Sequence, residues 1–378
     1  MTILRICLTG DTLSYPEGGG HFWVYLNWAL GLRDCGCDVV WLELVAPGID
    51  RTSLSRFYSC LKRRLECFGF GNALALCDET GRNVDPAAAD SCPGLEAATN
   101  SDLLINLRYQ IGSEVLGRFR RTALLDIDPG LLQIWISEGQ IHVSRHDLYF
   151  TTGETVGIPG SLCPDVGLPW QYTPPCVSLA HWPALPGEAG AAFSTISHWS
   201  GDEWVQQGDQ IYINDKRAGF LPFLDLPRRA PAPLELALRL ASDEDEDRAI
   251  LSERGWRLVD SRAVASQPWD FQSYVQRSAG EFSAVKPSCV RLQNAWVSDR
   301  SLCYLATGRP VVVQHTGPSR ILPDAEGVFR FRTLGEAAAS IEAVMSDYER
   351  HSRSARALAA EHFDAAKVAR RLLERALS

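Results

Sequence analysis

Apolar residues recur along this chain in two alternating periods. Ile3 to Leu8 is a short continuous apolar run, the mark of a strand covered on both faces, and a loop ending in Gly18, Gly19 and Gly20 follows it. Phe22, Leu26, Ala29, Leu30 and Arg33 then fall at helical spacing, Gly36 closes that helix, and Val39 to Leu44 makes a second strand. The helix is apolar nearly all round, which predicts cover on both sides. Strand, glycine-rich turn, helix, strand is the opening of a parallel α/β sheet. Short strands at Leu103 to Leu107, Ala123 to Ile127 and Leu148 to Thr151 continue the alternation.

Between Gly157 and Pro186 the period disappears into a tract rich in Pro and Gly, the composition of an inter-domain linker. It resumes at AAFSTISHW, a strand ending in His198 and Trp199. Residues 201–231 read as an irregular excursion, Leu234 to Leu240 as an alternating strand, and SDEDEDRAILSERG as a helix with an acidic first turn and Gly255 beyond its end. WRLVD, WDFQSYVQRSAG, EFSAVK, a helix from Asp299 and PVVVQHTG carry the pattern on. Thr333 with Glu336 forms a capping box for a helix running to Tyr348, and a last helix starts at Asp364. The predicted organisation is a doubly wound domain over 1–170, a linker over 171–190, a second over 191–362, and a closing helix over 363–378 that crosses back.

Composition narrows the function classes. The 378 residues exceed one ordinary core, and 46% hydrophobic with 22% charged residues is a globular balance. A net charge of −9 argues against nucleic acid as a partner. The 11 cysteines contain no C-x-x-C pair, and with the start MTILRICLTGD reading as a strand they point to a reducing, cytoplasmic setting. No run approaches the roughly 18 apolar residues of a membrane span.

The stretch DRSLCYLATGRPVVV, from Asp299 to Val313, carries the candidate chemistry. A helix starting at Asp299, with Arg300 and Ser301 in its first turn, presents amide groups and a guanidinium fork to an anion such as a diphosphate. The alternative is that Arg300 pairs with Asp299 or Glu281. Asp126-Ile127-Asp128 is a D-x-D at a strand end, as in metal–diphosphate motifs. The two-domain layout instead makes Asp126 a partner of a general base and Asp128 an acceptor-cleft group, the alternative being a structural turn with Pro129 and Gly130.

Two α/β domains joined by a Pro-rich linker resemble the GT-B glycosyltransferases, and so does the second half in sequence. In those families the helix reads Arg-x-Phe-Glu-Ala-Met-Ala-x-Gly, matched here by Arg300, Leu302, Ala306 and Gly308, while the ribose-binding glutamate falls on Cys303. The resemblance implies two Rossmann-like doubly wound domains facing across a cleft. It implies transfer of a sugar from a UDP-, dTDP- or GDP-type donor to a small-molecule or other acceptor hydroxyl, without a metal or resident cofactor. The donor residues it suggests are His198, Arg262, Glu281, Lys286, Asp299, Arg300 and Ser301. His21 becomes the general base with Asp126 beside it, and Asp11, Gly19, Gly20 and Asp128 line the acceptor cleft. The tryptophans are expected mainly in the core. A nucleotide-sugar epimerase and a non-catalytic ligand- or partner-binding protein on the same fold are the alternatives.

Overall fold

Ile6, Cys7 and Leu8 are wholly buried because their strand lies in the middle of a sheet covered by helices on both faces. The structure, a computed structural model, describes residues 3–89, 92–188, 190–201, 203–241 and 244–378. The first half runs β1 (Arg5–Thr9), α1 (Gly19–Asp34), β2 (Asp38–Val45), α2 (Arg51–Cys67), β3 (Leu74–Asp78), α3 (Leu95–Thr99), β4 (Leu103–Asn106) and α4 (Ser113–Leu116). It continues with β5 (Thr122–Asp126), α5 (Leu131–Ser137), β6 (Leu148–Thr151) and β7 (Trp170–Tyr172). Its seven strands pair in parallel in the order β3-β2-β1-β4-β5-β6-β7.

The second half begins with β8 (Phe193–His198), a hairpin of β9 (Trp204–Gln207) and β10 (Gln210–Ile213), α6 (Lys216–Phe220) and β11 (Leu234–Arg239). Then come α7 (Asp245–Glu253), β12 (Arg257–Asp260), α8 (Ser261–Ala265), α9 (Pro268–Arg277), β13 (Gly280–Ser283) and α10 (Pro287–Leu292). The chain finishes with α11 (Asp299–Ala306), β14 (Val311–Gln314), β15 (Val328–Phe331), α12 (Leu334–Ser346), α13 (Tyr348–Leu358) and α14 (Ala365–Leu377). Its sheet, β12-β11-β8-β13-β14-β15, is also all parallel. Both sheets therefore reverse direction beside their first strand, at β1/β4 and β8/β13. Those switch points open crevices at the carboxyl ends of the strands.

Local signals placed most boundaries. Gly36 and Gly255 take left-handed conformations just past α1 and α7, Thr333 and Glu336 cap α12 reciprocally, and Asp364 caps α14. Four expectations need correction. Gly19 and Gly20 belong to α1, and Tyr348 opens α13 behind an Asp347 cap. Residues 201–231 contain a regular antiparallel hairpin, and the edge strand β3 had no predicted counterpart. Residues 242 and 243 of the acidic run lie outside the described residues. Among the described residues no helix is long and apolar enough to cross a membrane.

Tyr172, in the tract expected as linker, still pairs in the first sheet, and the tract beyond it is firmly seated. Val177 bridges to Asp364, Ser178 donates its amide to Asn27, and buried Trp182 packs on Trp23 and Phe271. Helix α14 crosses onto α1, whose Phe22, Trp23, Leu26 and Leu30 share one core with Phe271, Leu302, Val368 and Leu372. The crossing is tight because Gly31 has no side chain: a Cβ there would stand 2.5 Å from the Ala365 carbonyl oxygen. Gly31→Ala gains helix propensity but meets backbone that cannot step aside, so we expect a net loss of about 1–3 kcal/mol in urea unfolding. An unchanged midpoint would mean that the crossing tolerates displacement.

Candidate functional site

Two cavities open at the switch points and meet. One, of about 380 Å³, lies between the start of α1 and the second sheet, lined by Tyr15, Glu17, Gly18, Gly19, Gly20, His21, Val24, His198, Arg239, Ser261, Arg262, Ser298, Asp299 and Arg300. The other, of about 650 Å³, lies over β1, β4 and β5 and is lined by Asp11, Tyr25, Glu79, Arg108, Tyr109, Asp128, Trp135 and Trp296. His21, Val24 and Asp299 line both. A third hollow of about 550 Å³, around Arg5, Arg33 and Asp38, touches the amino-terminal ends of the strands, away from both switch points.

His21 sits in the first turn of α1, flanked by the rings of Tyr15 and Tyr25. Its Nε2 lies 2.9 Å from the Asp11 carbonyl oxygen. A carbonyl only accepts, so Nε2 carries the proton and Nδ1 of the neutral ring keeps a lone pair. The loop that supplies this carbonyl is held by Glu43, a buried carboxylate at the core of the turn. It accepts from the Thr12 amide and hydroxyl, the Leu13 amide and the Trp41 indole.

Gly18 abuts the Tyr15 ring of its own loop, whereas Gly19 and Gly20 serve close packing between the domains. A Cβ on Gly19 would stand 2.4 Å from the Gln267 carbonyl oxygen, and one on Gly20 would stand 2.7 Å from the Phe271 ring. They were expected to admit an acceptor; they line the smaller cavity with backbone while admitting α8 and α9. Asp126 was expected beside His21 and is instead wholly buried, accepting from Gln133, Thr151 and the Asp128 amide. Burial pushes its carboxyl up to about 7, despite those donors. Asp128, two residues on, points outward, accepts from the Tyr109 hydroxyl at 2.8 Å and lines the larger cavity with Asp11. Among the described residues no three His, Cys, Asp or Glu side chains gather as a metal site would require.

On the second domain, Arg300 is spoken for. Its Nε donates to Glu281 at 2.7 Å, one Nη to the Ile196 carbonyl and the other to the Ser283 hydroxyl, both at 2.8 Å. Glu281, expected to hold donor hydroxyls, is 0% exposed and serves as counter-ion to this fork, with Oε2 unbonded. Ser301 is buried on the inner face of α11, and the cap residue Ser298 faces the cavity in its place. Lys286 is tied to Glu203 and lines neither cavity. Cys303 is buried with its thiol directed at the Asp299 carbonyl and lines neither cavity.

Besides Arg300, the cations lining the smaller cavity are Arg239 and Arg262. Each is half exposed and held by a single neighbouring carboxylate, Glu17 at 3.6 Å and Asp260 at 2.8 Å. His198 shares a 2.9 Å hydrogen bond with the Tyr15 hydroxyl across the cleft, and burial, with Arg239 and Lys286 nearby, holds its ring below the ordinary histidine value. Tyr15, Glu17, Arg239 and Ser298 carried no sequence signal; only their positions at element ends place them here. Asp299 is half-buried, and among the described residues its carboxylate makes no hydrogen bond or ion pair with another side chain. Burial, with Asp128 adding to it against Arg300, pushes it up to about 7.

A seven-stranded and a six-stranded parallel domain facing across such a cleft form the GT-B architecture. Solved structures with this fold match over the whole chain. Sucrose-phosphate synthase from Thermosynechococcus elongatus aligns over 99% of both chains at 12% identity and a TM-score of 0.55. HepE from Anabaena, in complex with UDP-glucose, covers 98% of this chain and 99% of its own at 12% identity and 0.56. An alpha-glucosyltransferase, in complex with UDP and a 13-mer DNA, covers 100% of both at 13% identity and 0.57. No protein-family model and no curated protein matches the sequence.

Two consequences follow from the buried charges. Arg300→Ala strands Glu281 without a partner, and we expect a loss of about 3–5 kcal/mol in chemical unfolding that lysine, lacking the fork, does not restore. A variant as stable as the parent would show that Glu281 takes its proton at little cost. Asp299 has a folded value above its free value, so the native state binds the proton more tightly and stability falls as pH rises from about 4 to 7. Asp299→Asn is therefore expected to be the more stable form at pH 8, by about 1–2 kcal/mol after allowing for its partial exposure, with the gap closing near pH 4. A gap that does not change with pH would contradict this.

Proposed function

We propose that this chain is a nucleotide-sugar-dependent glycosyltransferase. The observation that carries the reading is that the two cavities of a GT-B cleft meet at a histidine with a free lone pair. The donor occupies the smaller cavity, its nucleoside toward Ser261 and its diphosphate between Arg239, Arg262 and the amino end of α11. Both arginines sit in exposed ion pairs worth at most about 1 kcal/mol, which an incoming diphosphate displaces readily. Amides and guanidinium groups meet the charge of the leaving group, so transfer proceeds without a metal.

In the transfer, His21 Nδ1 takes the proton of an acceptor hydroxyl in the larger cavity. The freed oxygen bonds to the anomeric carbon, and the bond from that carbon to the diphosphate oxygen breaks with its electron pair leaving on the nucleotide. An epimerase would have no use for a second cavity of about 650 Å³, which favours transfer.

A thermal-shift panel of UDP, dTDP and GDP tests the donor assignment, since a binder raises the melting temperature by mass action. At least one should do so, and Arg262→Ala should reduce the shift; no shift with any of them sinks the reading. His21→Ala should keep the nucleotide shift while lowering transfer by about 10²–10⁴-fold. Transfer at the parental rate removes His21 as the base.

A further inference from the structure

The larger cavity has a chemistry of its own. Its walls are aromatic, with Tyr25, Tyr109, Trp135 and Trp296 arranged around the space over β4 and β5. Asp11, Glu79 and Asp128 stand at its rim, and Asp299 lies at its floor. Arg108, the only cation lining it among the described residues, is already engaged: its guanidinium donates to the Leu44 carbonyl at 2.6 Å and lies 3.8 Å from Asp11 and 3.6 Å from Glu79. Three carboxylates against one guanidinium leave two negative charges in excess before Asp299 is counted.

We propose that this cavity takes a saccharide acceptor that carries no anionic group. The inference rests on the transferase reading and adds the acceptor class to it. Indole and phenol faces offer flat apolar surface to the C–H face of a sugar ring. Carboxylates accept from adjacent hydroxyls in pairs, and Asp299, with no side-chain partner among the described residues, has that capacity unspent. The same carboxylates reject phosphate and uronate groups, because no free cation offsets the repulsion in a partly enclosed space.

The test is calorimetric titration of the full chain, with and without UDP. The panel is gluco-, galacto- and manno-configured sugars in neutral, amino, 6-phospho and uronic forms, with a simple phenol beside them. Neutral or amino members should bind, and their phosphorylated and uronic counterparts should bind at least about tenfold more weakly. Glu79→Gln with Asp128→Asn, both exposed positions, should narrow that gap several-fold, whereas Trp135→Ala should weaken every sugar alike. Equal or tighter binding of an anionic sugar overturns the inference, as does a phenol that outbinds all sugars or a panel in which no sugar binds. Saccharide binding without any nucleotide shift would sink the donor reading alone; the reverse result would sink this one alone.

Discussion

The fork of Arg300 is the constraint on which the site depends. One side chain joins three pieces of backbone: the carboxyl end of β8 through Ile196, β13 through Glu281 and Ser283, and the start of α11. With Glu281 wholly enclosed, the pair is held by mutual need, because either charge left alone in that interior is far costlier than both together. The geometry that results fixes the amino end of α11 over the second switch point. Asp299, the residue before Arg300, is thereby presented to both cavities, and Ser298 to the smaller one. The charge balance thus serves position: three of the five N–H donors of this guanidinium hold the elements behind the site together.

The cleft that this support faces is closed by contacts of two kinds. Some are buried and directional. Trp23 donates to the Pro268 carbonyl at 2.8 Å, Arg64 to the Ser266 carbonyl at 2.7 Å, and Asn294 to the Pro129 carbonyl at 2.7 Å. Others, Glu17 with Arg239 and Tyr15 with His198, lie at the mouth of the smaller cavity and are open to solvent on one side. The first kind fixes how the domains meet, and α14 lying on α1 reinforces it. The second kind is cheap to exchange, so an anion entering between the domains competes for Arg239 without unfolding anything.

The fold was legible because its signals are local. Apolar runs, glycines at helix ends and the capping residues Thr333 and Asp364 each act within a few residues, and the alternation they create has few topological solutions. Strand β3 escaped because its five residues LALCD sit at a sheet edge with no periodic neighbour. The site was less legible, since side-chain direction depends on partners far along the chain. Arg300 and Ser301 are adjacent in a helix start, yet one is held by β8 and β13 and the other turns into the core. Asp126 and Asp128 share a strand-end motif, but the strand stops between them, leaving Asp126 among Gln133 and Thr151 and turning Asp128 outward. Glycines at the α1 start suggested room for a ligand, and the room is filled by Gln267 and Phe271 from the other domain.

The charge of the whole chain and the charge of the cleft answer different questions. A net charge of −9 describes the surface, while a diphosphate responds to groups within a few ångströms, where Arg239, Arg262 and the amides of α11 lie. Across Asp299 the sign reverses, with Asp11, Glu79 and Asp128 outnumbering the engaged Arg108. On the proposed reading, a transfer at this boundary creates a nucleoside diphosphate on the basic side and a longer saccharide on the acidic side. The division lowers the energy of the charged leaving group where it forms, and the acidic half opposes its passage in that direction. On the same reading Arg239 and Arg262, each already beside a carboxylate, bind it without holding it irreversibly, because Glu17 and Asp260 stand ready to take the guanidinium groups back.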